Sequence, residues 1–380
     1  MTDPASLRAA RLARLRAAMA AAGEDALILT SAGAVRYASG AVPVHGDSSV
    51  EAARPFAAVV TPRRLHVLGV DPAFVPSDVA AHVLPRAARG AVAALADLLA
   101  DARHVGVERL PFALAEGLAR ALPRATFASA DPALHAARAV KTPEEVARLA
   151  EAQRLTEAAV RAVLPAIVPG VREVELTGRF LAAAAERGLV ACHVEPLWCV
   201  LPRTAADAPW TFAGGLPYRE LPDTRVIEAG DQVMIDTGML HEGYLSDVGW
   251  TWVAGGEPRA ADVVLRARWR EILDAVLAVC RPGRTAAELH RAARALMGPA
   301  RPAPWPVPLY LAHGIGIGGV EPPFVGTDLG LAAEERFVLV PGTVLVLEPY
   351  AWEEGLGGYR AEQTVVVTDT GCELLSAPPP

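Results

Sequence analysis

The sequence VMIDTGMLHEGYLSD at residues 233–247 carries two acids on what its pattern predicts to be a hairpin of two strands. Asp236 ends an apolar strand, and Asp247 lies on the returning strand. A turn near Glu242 and Gly243 places the two carboxylates side by side. Adjacent carboxylates repel, and the repulsion raises one pKa unless a cation lies between them. The hairpin therefore indicates either a cation site or two ordinary aspartates at strand ends.

A second predicted pair of strands repeats this arrangement. Glu348 ends the apolar run Val344–Leu347, and Glu362 lies at the start of the partner strand. Between the two hairpins, His313 lies in the glycine-rich segment LAHGIGIGG at residues 311–319. A phosphate-binding loop is excluded there, because the segment has no GxGxxG pattern after a strand and no lysine follows it. We interpret the histidine as a metal ligand.

Five side chains are therefore candidate metal ligands: Asp236, Asp247, His313, Glu348 and Glu362. Four carboxylates carry too much negative charge for one cation, and the set lacks the sulfur of a structural zinc site. It suits two oxygen-preferring divalent ions roughly 3–4 Å apart, with Mn²⁺ as the first choice and Co²⁺, Zn²⁺ or Fe²⁺ as alternatives. A water molecule shared by two such ions loses a proton near neutral pH and becomes a nucleophile.

Two domains are predicted, with a boundary near residue 139. Helices and strands alternate over residues 1–138, which indicates an α/β domain with a covered sheet. Residues 139–380 combine long helices with strand pairs, which indicates an α+β domain. Thr142 and Glu145 form a predicted capping box where the second domain's first helix begins. The preceding segment Asp131–Leu134 is predicted to be a loop. The long helices are predicted at Pro143–Val163, Glu173–Arg187, Arg259–Val279 and Thr285–Leu296.

Composition excludes several classes of function. The 380 residues include 36 Lys and Arg against 43 Asp and Glu, for a net charge of −7. Binding to nucleic acid or to an anionic membrane needs a basic face, so we expect neither. No apolar run reaches the ~18–20 residues of a membrane span. The four cysteines form no CxxC pair, which argues against thiolate zinc and redox motifs. The Arg- and Ala-rich first residues are interpreted as a folded helix and not as a secretory or mitochondrial targeting segment. We therefore expect a cytoplasmic protein.

The order Asp, Asp, His, Glu, Glu, within the patterns IDTGxxxxGYxSD, HGIG, LEP and RxEQTVVVT, resembles the M24 metallopeptidases of pita-bread fold. These include Xaa-Pro aminopeptidase, prolidase and methionine aminopeptidase, with creatinase as a metal-free relative. Residues 26–39 and 139–160 resemble the creatinase-type N-terminal domain and its junction with the catalytic domain. The resemblance implies an α+β pita-bread catalytic domain at residues 139–380, preceded by a smaller α/β creatinase-type domain at residues 1–138. It also implies a homodimer.

The resemblance assigns a role to each candidate ligand. Asp236 would bind one ion, and Asp247 and Glu362 would bridge both ions. His313 and Glu348 would bind the other ion. Glu348 would also be the general base that takes a proton from the attacking water.

The sequence departs from the family pattern at positions that handle the substrate. The family's second histidine, seven residues after the first, is Val320 here. The histidine expected before the first acid is missing from residues 215–220, and Trp250 replaces the arginine of the SDxTRT pattern. Losing one such hydrogen-bond donor costs on the order of 10²–10³ in rate.

Other side chains are candidates to take over these roles. Tyr218 and Arg219 occupy the place of the missing upstream histidine and offer hydrogen-bond donors. His241, in the predicted turn, and His193 are further candidates, with an ordinary solvated histidine as the alternative for each. Arg360 lies two residues before the last acid, where it could orient or neutralise the acids, and a solvated strand arginine is the alternative.

Three functions fit these features. The first is a dinuclear metal-dependent Xaa-Pro-type aminopeptidase or dipeptidase that acts on short peptides. The second is a pita-bread enzyme that acts on a non-peptide small molecule, as an amide hydrolase or a lyase, which the missing histidines favour. The third is a binding protein that kept the fold without turnover. Four tryptophans are predicted to lie in loops, where they could line an apolar substrate pocket: Trp198, Trp210, Trp305 and Trp352.

Overall fold

The structure is a computed structural model, and it describes residues 4–42, 56–70, 72–82, 88–189, 191–207, 224–297, 311–327 and 329–380. The chain divides into two compact units between Arg138 and Ala139. Across the described segments, every helix lacks either the length or the apolar character that crossing a membrane requires.

The first unit is a mixed sheet with helices. Its strands are β1 (Ala26–Leu29), β2 (Ala57–Val60), β3 (Leu65–Leu68), β4 (Ala80–His82), β5 (His104–Val107) and β6 (Thr126–Ser129). Its helices are α1 (Pro4–Ala21), α2 (Ala32–Ser39), α3 (Ala88–Leu98), α4 (Phe112–Ala121) and α5 (Asp131–Ala139). The strand order is β4-β3-β2-β1-β5-β6. Every residue of β1 is buried, as is typical of a strand covered on both faces.

Helix α5 begins where we predicted a loop, so that prediction was wrong. The Ser129 hydroxyl accepts a hydrogen bond from the backbone N–H of Asp131, and the N–H of Leu134 donates to the carbonyl of Ala130. Pro132 lies in the first turn, where the missing N–H of a proline costs the helix nothing. We interpreted the Asp-Pro pair as a loop signal, whereas here it begins a helix.

The second unit contains the remaining elements. Its helices are α6 (Pro143–Val163), α7 (Glu173–Glu186), α8 (Ala260–Val279), α9 (Ala286–Met297) and α10 (Leu331–Glu334). Its first four strands are β7 (Ala191–Val200), β8 (Gln232–His241), β9 (Tyr244–Leu245) and β10 (Val248–Val253). The other strands are β11 (Ala312–Gly316), β12 (Gly319–Val325), β13 (Val344–Leu347), β14 (Tyr350–Glu353), β15 (Gly357–Arg360), β16 (Gln363–Val367) and β17 (Cys372–Leu374).

Two larger sheets and one strand pair organise the second unit. One sheet has the order β10-β8-β7, with β9 paired to β8, and the other has the order β12-β11-β13-β16-β17. Strands β14 and β15 pair only with each other among the described strands. The capping box at the start of α6 is confirmed, since the Thr142 hydroxyl accepts from the N–H of Glu145 and the Glu145 carboxylate accepts from the N–H of Thr142.

The predicted hairpin around residue 242 is confirmed. Strands β8 and β10 pair antiparallel, with Asp236 opposite Gly249. Glu242 and Gly243 both have positive φ, which suits the tight turns that match the twist of a hairpin. The second predicted pair, β13 with β16, is also present, but its connection folds into the additional pair β14–β15. His313 lies on a strand, β11, which its glycine-rich sequence did not indicate.

The main core lies between the helices and one face of each sheet. On β8, Val233 and Ile235 point into this core, whereas Met234 and Asp236 occupy the other face by alternation. Trp198 is fully buried in the core, so its prediction as a pocket residue in a loop was wrong. Trp352 lies on β14 rather than in a loop, and Trp210 and Trp305 are outside the described residues.

A buried ion pair joins the start of the second unit to β12. The ammonium group of Lys141, the only lysine in the chain, contacts the carboxylate of Glu321, and both side chains are 3% exposed. We expect Lys141→Ala to lower the free energy of unfolding by about 3–5 kcal/mol, because it leaves a buried carboxylate without the charge of the lysine.

Urea unfolding of metal-free protein measures this loss. The control is Arg154→Ala, which removes an exposed pair with Glu151 and is expected to leave the free energy of unfolding close to that of the wild type. Equal stability of the two variants would show that the buried pair contributes little.

Candidate metal centre

Four acids and one histidine reach one place because each lies within a strand or next to the end of one. Asp236 lies within β8 and Asp247 directly precedes β10. His313 lies on β11, Glu348 directly follows β13, and Glu362 directly precedes β16. Strand β8 pairs antiparallel with β10, and β13 pairs antiparallel with both β11 and β16. This pairing brings the residues of each sheet next to one another.

Backbone hydrogen bonds set the positions of two of these acids. The N–H of Glu362 donates to the carbonyl of Gly249 at 2.8 Å, which links β16 to β10 across the two sheets. The N–H of Glu348 donates to the carbonyl of Leu311 at 2.8 Å. Acids from separate sheets therefore converge through main-chain contacts.

The side chains of all five predicted ligands lie together. Oxygen atoms of Asp236, Asp247 and Glu362 lie within 4.8 Å of one another. The Nε2 atom of His313 lies 3.3 Å from Oδ2 of Asp247 and 3.6 Å from Oε1 of Glu348.

Arg360 lies at the centre of the acids. Its guanidinium donates to Oδ2 of Asp236 at 2.8 Å, to Oε2 of Glu348 at 2.5 Å and to Oε1 of Glu362 at 2.5 Å. The residue is 4% exposed, so the alternative of a solvated strand arginine is wrong. One cation shared by three carboxylates offsets part of their mutual repulsion.

The pKa values of two acids and of the histidine are raised in the metal-free protein. Burial raises the pKa of Glu362 well above its usual range, neighbouring acids add to the rise, and Arg360 opposes it. Burial likewise raises the pKa of Asp236, again opposed by Arg360. Burial alone would lower the pKa of His313, but a hydrogen bond to Asp247 and the charges of Asp247 and Glu348 raise it to about 9.

The residues present fit divalent metal ions. The Oε2 atom of Glu362 is buried and has no hydrogen-bond partner within the described parts of the chain, which is costly unless a cation binds it. The Nδ1 atom of His313 lies 2.9 Å from the carbonyl of Gly314, a contact that turns Nε2 toward the acids. Carboxylate oxygens with one imidazole form a donor set suited to Mn²⁺ and similar ions.

Side chains outside the cluster hold its members in place. Gln153 of α6 accepts from the N–H of Asp247 at 3.1 Å and donates to its carbonyl at 2.9 Å. The indole N–H of Trp269 donates to the carbonyl of Ala361, the residue before Glu362, at 2.9 Å. The sequence analysis missed both. For Gln153, the only sequence signal of this contact was a polar residue within the apolar stripe of a helix. Such a residue has many alternative hydrogen-bond partners.

The structure does not bring His241 to the cluster. It lies five residues beyond Asp236 on β8, about 17 Å along an extended strand, and strand alternation places it on the opposite face. Trp250 is buried on the core face of β10, and Val320 is 37% exposed on β12. Tyr218 and Arg219 lie outside the described residues.

Comparison with known proteins gives consistent matches. Residues 147–369 match the model of metallopeptidase family M24, and residues 11–140 match the creatinase/prolidase N-terminal domain. An Xaa-Pro dipeptidase of Pyrococcus furiosus is 28% identical over 296 residues, which cover 74% of this chain and 75% of that protein. The crystal structure of the prolidase from Pyrococcus horikoshii has a TM-score of 0.77 and 21% identity, covering 97% of this chain and 98% of that chain. A shorter match, 38% identical over 107 residues, covers 28% of this chain and 25% of an agropine synthesis cyclase of Rhizobium rhizogenes.

Metal binding is expected to release protons, because the pKa values of Asp236, Glu362 and His313 are all raised in the metal-free protein. A ligand must lose its proton before it binds a cation, so the affinity for Mn²⁺ should rise with pH up to about 9, the pKa of His313. Calorimetric titration in buffers of different ionisation enthalpy measures the protons released. His313→Gln should release fewer, and a heat that does not depend on the buffer would contradict the expectation.

Gly249→Ala is expected to weaken metal binding at least about tenfold. A Cβ atom on Gly249 would lie 2.6 Å from Cδ and 2.7 Å from Oε1 of Glu362, so the carboxylate must move. Gly256→Ala is the matched control, because a Cβ atom there meets nothing within 4 Å. Competition with a chelating dye gives both affinities, and a wild-type affinity for Gly249→Ala would show that Glu362 is not held at the metal position.

Proposed function

Because the chain belongs to metallopeptidase family M24, we propose that it is a dinuclear metal-dependent Xaa-Pro-type aminopeptidase or dipeptidase that hydrolyses short peptides. The family resemblance expected from the motifs is confirmed. The fold class is also confirmed, as an α+β pita-bread catalytic domain with a creatinase-type α/β domain before it. The metal count, the substrate and the residue roles below are parts of the proposal.

The observation that carries the proposal is the convergence of four carboxylates and one imidazole around Arg360. Such a cluster is costly to bury without cations, and hydrolysis is the chemistry that a pair of divalent cations serves well. When bound, the cations supply the Lewis acidity that an amide carbonyl and a water molecule both need at neutral pH. Asp236, Asp247, Glu362, His313 and Glu348 are proposed to hold them.

Glu348 is proposed as the general base. Arg360 donates to its Oε2 atom, whereas its Oε1 atom faces His313 at 3.6 Å. Oε1 is therefore the oxygen placed to accept a proton from an attacking water within the cluster. In this proposal Arg360 fixes the orientation of the carboxylate by occupying its other oxygen.

A small buried apolar cluster lies beside the acids. Leu197 lies directly opposite Asp236 in the pairing of β7 with β8. It packs with Cys199 and Met234, and Tyr350 and Trp352 lie against them. Tyr350 and Trp352 are only partly buried, so they are the members of this cluster that we propose contact an apolar substrate side chain.

Mn²⁺ is proposed as the metal, with Co²⁺, Zn²⁺ and Fe²⁺ as alternatives, because oxygen ligands outnumber the single imidazole. A homodimer in the cytoplasm is proposed from the family resemblance. Metal analysis of purified protein tests the first statement, and sedimentation analysis tests the dimer.

A second function is favoured by two observations. Val320 stands where the family has a histidine that contacts peptides, and a stretch of 107 residues is 38% identical to an agropine synthesis cyclase. The substrate in this case would be a small non-peptide molecule, turned over by an amide hydrolase or a lyase. Turnover of such compounds, with none of peptides, would favour this function.

Glu348→Gln is expected to lower the rate of hydrolysis of alanyl-proline by about 10²–10⁴-fold in Mn²⁺-loaded protein, because it removes the proposed base. Glu353→Gln, which changes an exposed acid on β14, is expected to leave the rate unchanged. The metal content of both variants is measured, since Glu348 is also a proposed ligand. The absence of turnover across a panel of Xaa-Pro and other short peptides by metal-loaded wild type would reject the peptidase proposal.

A further inference from the structure

Two cysteines that are far apart in the sequence meet in the second unit, outside the acidic cluster. Cys280 directly follows helix α8 and is 1% exposed in the main core, and Cys372 begins strand β17 and packs against that core. The two thiols form a hydrogen bond. Both residues also reach the carbonyl oxygen of Leu277, the backbone nitrogen of Cys280 at 3.2 Å and the Sγ atom of Cys372 at 4.0 Å. The fold therefore creates a dithiol pair that has no CxxC spacing in the sequence.

The two thiols differ in accessibility and in acidity. Cys280 is enclosed by the core, whereas Cys372 is partly exposed. The hydrogen bond from Cys280 lowers the pKa of Cys372 although partial burial opposes it, and the same bond, followed by burial, raises the pKa of Cys280. Cys372 therefore loses its proton first, while Cys280 keeps its proton and donates it to the thiolate. An accessible cysteine of low pKa beside a second cysteine is the arrangement typical of a redox-sensitive pair.

Cys192 offers a comparison within the same chain. It is exposed, so a small reagent reaches it at least as easily as Cys372. Its pKa is raised, first by the partial burial of its thiol and then by the negative charge of Glu195. Its Sγ atom contacts the sulfur of Met239 at 3.4 Å and not a second thiol. A difference in reactivity between Cys372 and Cys192 would therefore reflect acidity and not exposure.

We propose that Cys280 and Cys372 form a reversible disulfide when the protein meets hydrogen peroxide. The Cys372 thiolate attacks one peroxide oxygen, the O–O bond breaks, and the departing hydroxide takes up a proton to become water. This step leaves a sulfenic acid on Cys372. The sulfur of Cys280 then attacks the sulfur of Cys372, the S–O bond breaks, and the hydroxyl group leaves as water with the Cys280 proton. In total the two thiols lose two electrons to one peroxide molecule, which yields two molecules of water.

The first step prepares the second. The hydrogen bond to Cys372 is the largest cause of the raised pKa of Cys280, so oxidation of the thiolate removes that cause and lets Cys280 lose its proton. The disulfide would join the end of α8 to β17, which pairs with β16. Helix α8 also carries Trp269, which donates to the carbonyl of Ala361. Oxidation would therefore attach this helix covalently to the sheet that contains His313.

Peptide mapping by mass spectrometry without reductant tests the proposal. After treatment of the whole chain with hydrogen peroxide, we expect the peptide with Cys280 to be linked to the peptide with Cys372, about 2 Da lighter than their sum. Dithiothreitol should reverse the link, and Cys192→Ser should form it as the wild type does. Cys280→Ala should form no link. It should instead accumulate a sulfenic acid on Cys372, trapped with dimedone and formed more slowly because the hydrogen bond from Cys280 is gone.

Alkylation of reduced wild type with a limiting amount of iodoacetamide tests the acidity separately. At about pH 7, Cys372 is expected to react at least about fivefold faster than Cys192, because thiolates and not thiols are the nucleophiles. This measurement needs no variant, so it stands even if a substitution at the buried Cys280 impairs folding.

The outcomes divide clearly. A reversible link between Cys280 and Cys372 in wild type, together with faster alkylation of Cys372, supports the inference. Oxidised wild type that keeps all four thiols, links a different pair, or carries sulfinic acid on Cys372 without a link overturns it. Alkylation of Cys192 before Cys372 overturns it as well. No peptide substrate enters these measurements, so they are independent of the proposed peptidase function.

Discussion

The electrostatic repulsion among four converging carboxylates is the constraint on which the catalytic half of the molecule depends. Two unit charges about 4 Å apart repel by about 4 kcal/mol at an effective dielectric constant of about 20, and several such pairs meet here. Arg360 offsets part of this repulsion by contacting three of the acids. Burial, and after it the charges of the neighbouring acids, raise the pKa values of Asp236 and Glu362 despite the presence of Arg360, which favours bound protons or metal ions beside these carboxylates.

The fold meets this constraint by fixing the main chain around each acid. Gln153 pairs with both backbone groups of Asp247, and Trp269 holds the carbonyl next to Glu362. These contacts come from helices α6 and α8, which pack on the core side of the sheets. A rigid backbone keeps the carboxylates close together even when they repel, because the acids cannot separate without breaking buried hydrogen bonds.

The convergence of these side chains could be predicted from the sequence because each acid lies within or next to an apolar strand, and a charge in such a place needs a partner. The fold around these acids was harder to predict from the sequence. Strand β11 contains two glycines in five residues, so its pattern suggested an irregular segment, and its identity as a strand depends on pairing with β13. Trp198 illustrates the same limit, because its burial depends on packing against Phe180 of α7, a contact that no local pattern encodes.

The position of His193 shows why a side chain on an irregular strand is harder to place from the sequence than the acids of the cluster. A bulge shifts the register by one residue, and register is a property of two strands together and not of either sequence alone. The imidazole is close to Gly319, the neighbour of Val320, where the family pattern has its second histidine. The five members of the cluster depend on several strands at once, whereas the surroundings of position 320 depend on one hairpin and one irregular strand. Val320 can therefore stand in place of the histidine of the family pattern while the acidic cluster stays intact.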